Sequence, residues 1–160
     1  MATIDERLLN VDRHGALAVP ATLWLVMGWL ARYWFVVVFI LVSSRRAPET
    51  VRVLGGDFSW YMLALELPAI LMIMTAGHRS PTASRLWRVL WARGRAILIA
   101  TAAIHIAATA AALAASSVWR RWPELFLASC SVLDIAVIYA LATDGFFRQL
   151  FSDFPAPPSS

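Results

Sequence analysis

Hydrophobic positions fall into four long runs, separated by short stretches of arginine, proline, glycine and serine. The runs cover about residues 20–42, 57–76, 96–116 and 124–143. At a rise of ~1.5 Å per residue, about 20 apolar residues match the ~30 Å hydrocarbon layer of a bilayer. The pattern predicts an all-α, polytopic membrane protein, with four transmembrane helices in a bundle and one domain over residues 1–160. Pro20 suits a first helical position, where its missing N–H does no harm. Asp57 suits an N-cap, and Glu124 suits the positive end of a helix dipole. Asp144-Gly145 ends the last run, and the Pro/Ser tail at 155–160 is expected to be mobile.

Each run carries one ionisable residue near its middle: Arg32, Glu66, His105 and Asp134. A charge at the bilayer centre costs about 2.5–3.5 kcal/mol on insertion scales, so the natural arrangement is mutual pairing. Arg32 can make a bidentate bond to either Glu66 or Asp134. With His105 protonated the four charges cancel; with it neutral they sum to about −1, so the group can exchange one proton. Polar neighbours support it: Thr101 and Thr109 stand one turn to either side of His105, and Cys130 and Ser131 lie within a turn of Asp134. Pro68, two residues after Glu66, is either a kink that frees a carbonyl or ordinary membrane-helix proline. Ala103, Ala107, Ala111 and Ala115 recur every four residues, a stripe suited to close helix packing. The polar centre has two readings: a static network that specifies packing, or a proton, ion or substrate path.

Composition agrees: 60% of residues are hydrophobic, and the 14 basic residues are all arginine. There is no lysine for a Schiff base. The high pI, near 10.2, does not point to nucleic acid, because the arginines are spread over the polar connections. Arg85, Arg88, Arg93 and Arg95 make residues 84–95 the most basic segment. Interleaved with Trp87, Leu90 and Trp91, it fits a short helix on an anionic membrane surface, or equally the first turns of the third membrane helix. The end segments and second loop hold eight arginines against five in the other loops, which puts both termini in the cytoplasm.

A lone cysteine excludes an internal disulfide, and Asp12 with His14 offers too few ligands for a metal. The start, MATIDERLLN, lacks the basic leader and apolar core of a cleaved signal peptide. The chain contains no H-E-x-x-H or G-x-S-x-G motif, and Ser131 and Asp134 sit too close on one helix for His105 to bridge them. The expectation is therefore no enzyme and no cofactor.

Asp12-Arg13-His14-Gly15-Ala16-Leu17, Pro20, Leu23-Trp24, Ala31-Arg32-Tyr33-Trp34 and Phe151-Ser152-Asp153-Phe154-Pro155 resemble the YfeZ-like family of short bacterial inner-membrane proteins of unknown function. The resemblance implies a multi-pass bacterial inner-membrane location and marks Asp12, His14, Gly15, Pro20, Arg32, Asp153 and Pro155 as motif positions. It implies no mechanism. Two roles follow as expectations: an accessory or scaffold subunit that binds another membrane protein or its own copies in the bilayer, or a small proton- or ion-coupled transporter.

Overall fold

The computed structural model describes residues 11–12, 15–42, 60–115 and 122–155. His14, Asp57, the loops at 43–59 and 116–121, the side chain of Glu124 and the tail from residue 156 lie outside that description. The described elements are α1 (Ala21–Leu30), α2 (Arg32–Val42), α3 (Trp60–Gly77), α4 (Arg85–Ala115), α5 (Trp122–Thr143) and α6 (Gly145–Ser152). The central helix is α4, which packs against α3, α5 and α6. The core joins Leu23, Met27 and Leu30 of α1 to Met72 of α3, Trp91 and Leu98 of α4, Leu141 of α5 and the phenylalanines of α6.

The all-α architecture agrees with the hydrophobic pattern, but the spans differ in detail. By length and composition, Arg85–Ala114 and Leu125–Thr143 are long and apolar enough to cross a bilayer. The first run is not one straight helix. It breaks at Ala31, and α1 and α2 meet at 71°, so the pair is a third candidate span only if taken together. Tyr61–Gly77 is apolar but shorter.

Residues 85–115 form one helix of 31 residues, so the basic segment supplies the first turns of α4 and not a separate surface helix. Gly94 within it does not break the helix but admits a neighbour. A Cβ there would lie 2.6 Å from Phe151 Cε1 and would also strike Met72 Cε. The alanine stripe turns away from the core: Ala103, Ala107 and Ala111 are exposed, whereas Leu98, Thr101, Ala102, His105 and Thr109 are buried. Alanine is small, but the inward face of α4 is fixed by where His105 must point.

Beyond Asp144, where the hydrophobic pattern predicts only the end of the fourth run, the chain forms α6. The Asp144 side chain accepts from Phe146 N at 2.9 Å, an N-cap bond that starts the new helix. Phe146, Phe147, Leu150 and Phe151 recur on one face and are buried against the bundle. Pro155 is buried as well, so the expected mobile tail does not begin there.

Candidate functional site

The break at Ala31 organises the polar centre. A new helix starts at Arg32, and the 71° bend turns the N–H groups of its first turn away from the carbonyls four residues back. Ala31 has no side-chain oxygen to cap them. The acceptor comes from α3: Glu66 takes Tyr33 N at 2.9 and 3.1 Å and Trp34 N at 3.2 Å. These are the N2 and N3 donors that a local Asp or Ser would serve, and the carboxylate also faces the positive end of the α2 dipole. Trp34 Nε1 donates to Leu63 O at 3.0 Å, a second tie between α2 and α3. That carbonyl is not the one left without its usual donor by Pro68, which would be the carbonyl of Ala64.

With Glu66 engaged by backbone, Arg32 takes the other carboxylate. Its two terminal nitrogens donate to Asp134 Oδ1 and Oδ2, each at 3.3 Å, in a bidentate pair between α2 and α5. Trp29 Nε1 donates to Asp134 Oδ1 at 2.8 Å. The guanidinium lies 5.0 Å from the Trp29 ring and 5.5 Å from the Tyr33 ring, and also donates to Trp29 O at 3.3 Å. Arg32 Nη1 reaches His105 Nδ1 at 3.3 Å. Guanidinium nitrogens only donate, so Nδ1 accepts and the imidazole proton sits on Nε2. His105 Nε2 is buried and has no hydrogen-bond partner among the described residues.

The four midspan residues thus converge, but as a three-residue cluster beside a helix cap. Glu66 and Asp134 are fully buried, His105 is 2% exposed and the Arg32 side chain is 15% exposed. The supporting residues are satisfied locally: Thr101 Oγ1 donates to Ile97 O and Ser131 Oγ to Leu127 O. Thr109 and Cys130 are buried.

The motif positions near the chain ends build a second cluster. Gly15, at φ +75°, allows a tight turn in which Asp12 N donates to Ala16 O and Asp12 Oδ1 accepts from Ala16 N. Leu17 N then donates to the Asp153 carboxylate. Arg79 joins both ends of the chain, donating to Leu17 O at 2.8 Å and Asp153 O at 3.2 Å. It stacks 4.4 Å from the Trp91 ring, whose Nε1 donates to Leu150 O and Asp153 O. Burial pulls the Arg79 pKa below its ordinary value, and the nearby Asp12 and Asp153 charges oppose that shift. Pro20 directly precedes α1 in extended conformation.

The basic segment divides. Arg88 folds back to Pro81 O at 2.7 Å and Ala83 O at 3.3 Å, and Arg95 reaches Ala142 O at 3.4 Å. Arg85 and Arg93 stay exposed. Sequence reasoning missed Trp29, Trp34, Arg79 and Trp91. The tryptophans pass for interface anchors, and Arg79 passes for one more topology-setting arginine. Nothing in their local sequence separates the two roles.

Residues 7–153 match the family described as "Protein of unknown function (DUF2919)". The chain is 32% identical over 95 residues to "Inner membrane protein YfeZ" of Escherichia coli (strain K12). That match covers 57% of this chain and 62% of YfeZ, less than two thirds of the relative's length. No solved structure matches.

Proposed function

The chain belongs to the DUF2919 family of proteins of unknown function, and from that premise we propose that it is a four-crossing inner-membrane protein serving as an accessory or scaffold subunit. The observation that carries the proposal is how fully the polar centre is used within the chain. Asp134 is spent on Arg32 and Trp29, and Glu66 on the backbone at the helix break. Buried groups already committed to one another fix how helices meet and leave little capacity for a substrate. We propose no catalytic role and assign no cofactor. The outward alanine face of α4 and the exposed aromatic residues of the other helices are the surfaces offered to lipid, to a partner helix or to a second copy.

The clasp at Arg79 supports an even number of crossings, and the four apolar runs of the sequence favour four over two. The clasp brings residue 17, the loop after α3 and residue 153 to one end of the bundle. With residues 17, 79 and 153 on one side, the chain between 17 and 153 crosses an even number of times. The bent α1–α2 pair and the shorter α3 then supply the first two crossings. The arginine distribution supports the cytoplasm as that side.

Cys130 tests the dry centre, because it is buried one turn from Asp134. In intact cells it is expected to resist a membrane-impermeant thiol reagent from either face, with Ser152→Cys as the reactive control in lysed cells. Labelling of Cys130 would instead support the second reading, a proton- or ion-coupled transporter. One observation favours that alternative: the Nε2–H of His105, without a partner among the described residues, beside a paired Arg32 and Asp134. His105→Gln, which keeps an amide donor but cannot titrate, would then abolish proton-coupled flux in proteoliposomes.

A further inference from the structure

Helices α3 and α4 leave an outward-opening groove of about 600 Å³ between them. Leu67, Leu71 and Met74 form one wall, and Ile97, Ala100 and Ile104 the other. The polar residue in the lining, Thr101, has its hydroxyl turned to Ile97 O at 2.9 Å. The volume falls within the ~300–1,000 Å³ range of small-molecule sites.

A cation stands one turn beyond the lined part of the groove. Arg93 lies one turn before Ile97, on the line continued by Ile97, Ala100 and Ile104. It is exposed and has no hydrogen-bond or ion-pair partner among the described residues. No acid occurs in α4, and the one acid of α3, Glu66, is buried at the helix break. His78 continues the α3 wall one turn beyond Met74, its ring stacked 4.9 Å from Trp87 and bonded to Met74 O. From Arg93 to Ile104 the helix rises ~16 Å, about half the ~30 Å hydrocarbon layer. The basic end is the end at which Arg79 joins Leu17 to Asp153.

We propose that this groove is a binding site for an anionic phospholipid of the leaflet at the Arg79 end of the bundle. One acyl chain lies along α3 and α4, and the phosphate pairs with Arg93. The proposal rests on the membrane placement of the helices and not on the accessory role. It differs from a general attraction of basic residues to the membrane surface, because it needs both the groove and one particular arginine.

The test is native mass spectrometry of the full-length protein released from mixed micelles containing equal phosphatidylglycerol and phosphatidylcholine. The wild type is expected to retain phosphatidylglycerol about fivefold over phosphatidylcholine, the worth of roughly one arginine at an anionic surface. Arg93→Gln is expected to level that preference, and Arg148→Gln, an exposed arginine of α6, to leave it intact. Ala100→Trp or Met74→Trp fills the groove and is expected to reduce retention of both lipids. Elution as a single symmetric peak checks that each variant folds. The proposal is overturned if the wild type shows no preference, if Arg93→Gln keeps it, or if neither groove-filling variant lowers retention. It is also overturned if inorganic phosphate removes the preference while both groove-filling variants leave lipid retention unchanged. Resistance of the protein to carbonate extraction from membranes, measured separately, reports on the membrane placement itself.

Discussion

Replacing Glu66 tests the broken helix most directly. Tyr33 N has both Glu66 oxygens within 3.1 Å, whereas Trp34 N also reaches Ala31 O at 3.1 Å. Removing the carboxylate therefore orphans one buried donor outright and weakens a second. An orphaned buried N–H costs about 1–3 kcal/mol, and loss of a negative group at a partly buried helix N-terminus up to ~2 kcal/mol. Relief from burying a carboxylate offsets part of this. Glu66→Leu should then cost about 2–4 kcal/mol. Glu66→Gln keeps an acceptor for Tyr33 and should cost roughly half as much. At ~2–4 °C per kcal/mol for a chain of this size, the leucine variant should melt roughly 5–15 °C lower in detergent, followed by size-exclusion recovery after heating.

The sharper measurement is a pair of double-mutant cycles. Arg32→Gln with Asp134→Asn should show strong coupling, because removing one partner of a buried pair costs about 3–5 kcal/mol. Arg32→Gln with Glu66→Gln should show weak coupling, since Glu66 meets backbone and not the guanidinium. A larger Arg32–Glu66 coupling than Arg32–Asp134 coupling would refute the assignment of Glu66 as a cap.

Further outcomes are expected at the other contacts. Gly94→Ala should destabilise the docking of α6 by about 1–3 kcal/mol through overpacking against Phe151, seen as faster proteolysis after residue 143. Trp91→Phe removes a donor shared by Leu150 O and Asp153 O and should cost about 1–2 kcal/mol, lowering the thermal midpoint in detergent. Arg79→Lys should behave more like Arg79→Gln than like wild type in the same assay, because a single ammonium cannot reach both Leu17 O and Asp153 O while stacking on Trp91.

The midspan residues were legible because a charge inside an apolar run has few neutral explanations. That they would meet was legible too. The partner of Arg32 was not. The choice between Glu66 and Asp134 is settled by the helix break, and the break falls at an alanine, the residue with the highest helix propensity. Only the tertiary position of Glu66, across in α3, makes the interruption tolerable. Helix α6 carries its apolar face in plain view at Phe146, Phe147, Leu150 and Phe151, but eight residues are too few for periodicity to outweigh the stop signal of Asp144-Gly145. The motif positions at the two chain ends look unrelated in sequence. Arg79, from a third segment, makes them one site.

The spacing of the central ion pair also sets an order of events during synthesis. Arg32 and Asp134 are 102 residues apart. At ~5–20 residues per second, the arginine leaves the ribosome about 5–20 s before its carboxylate. Trp29 and Tyr33, however, emerge almost together with it, and their rings stand 5.0 and 5.5 Å from the guanidinium. The two aromatic residues that border Arg32 in the finished protein are thus available to shelter its charge while the nascent chain waits for α5.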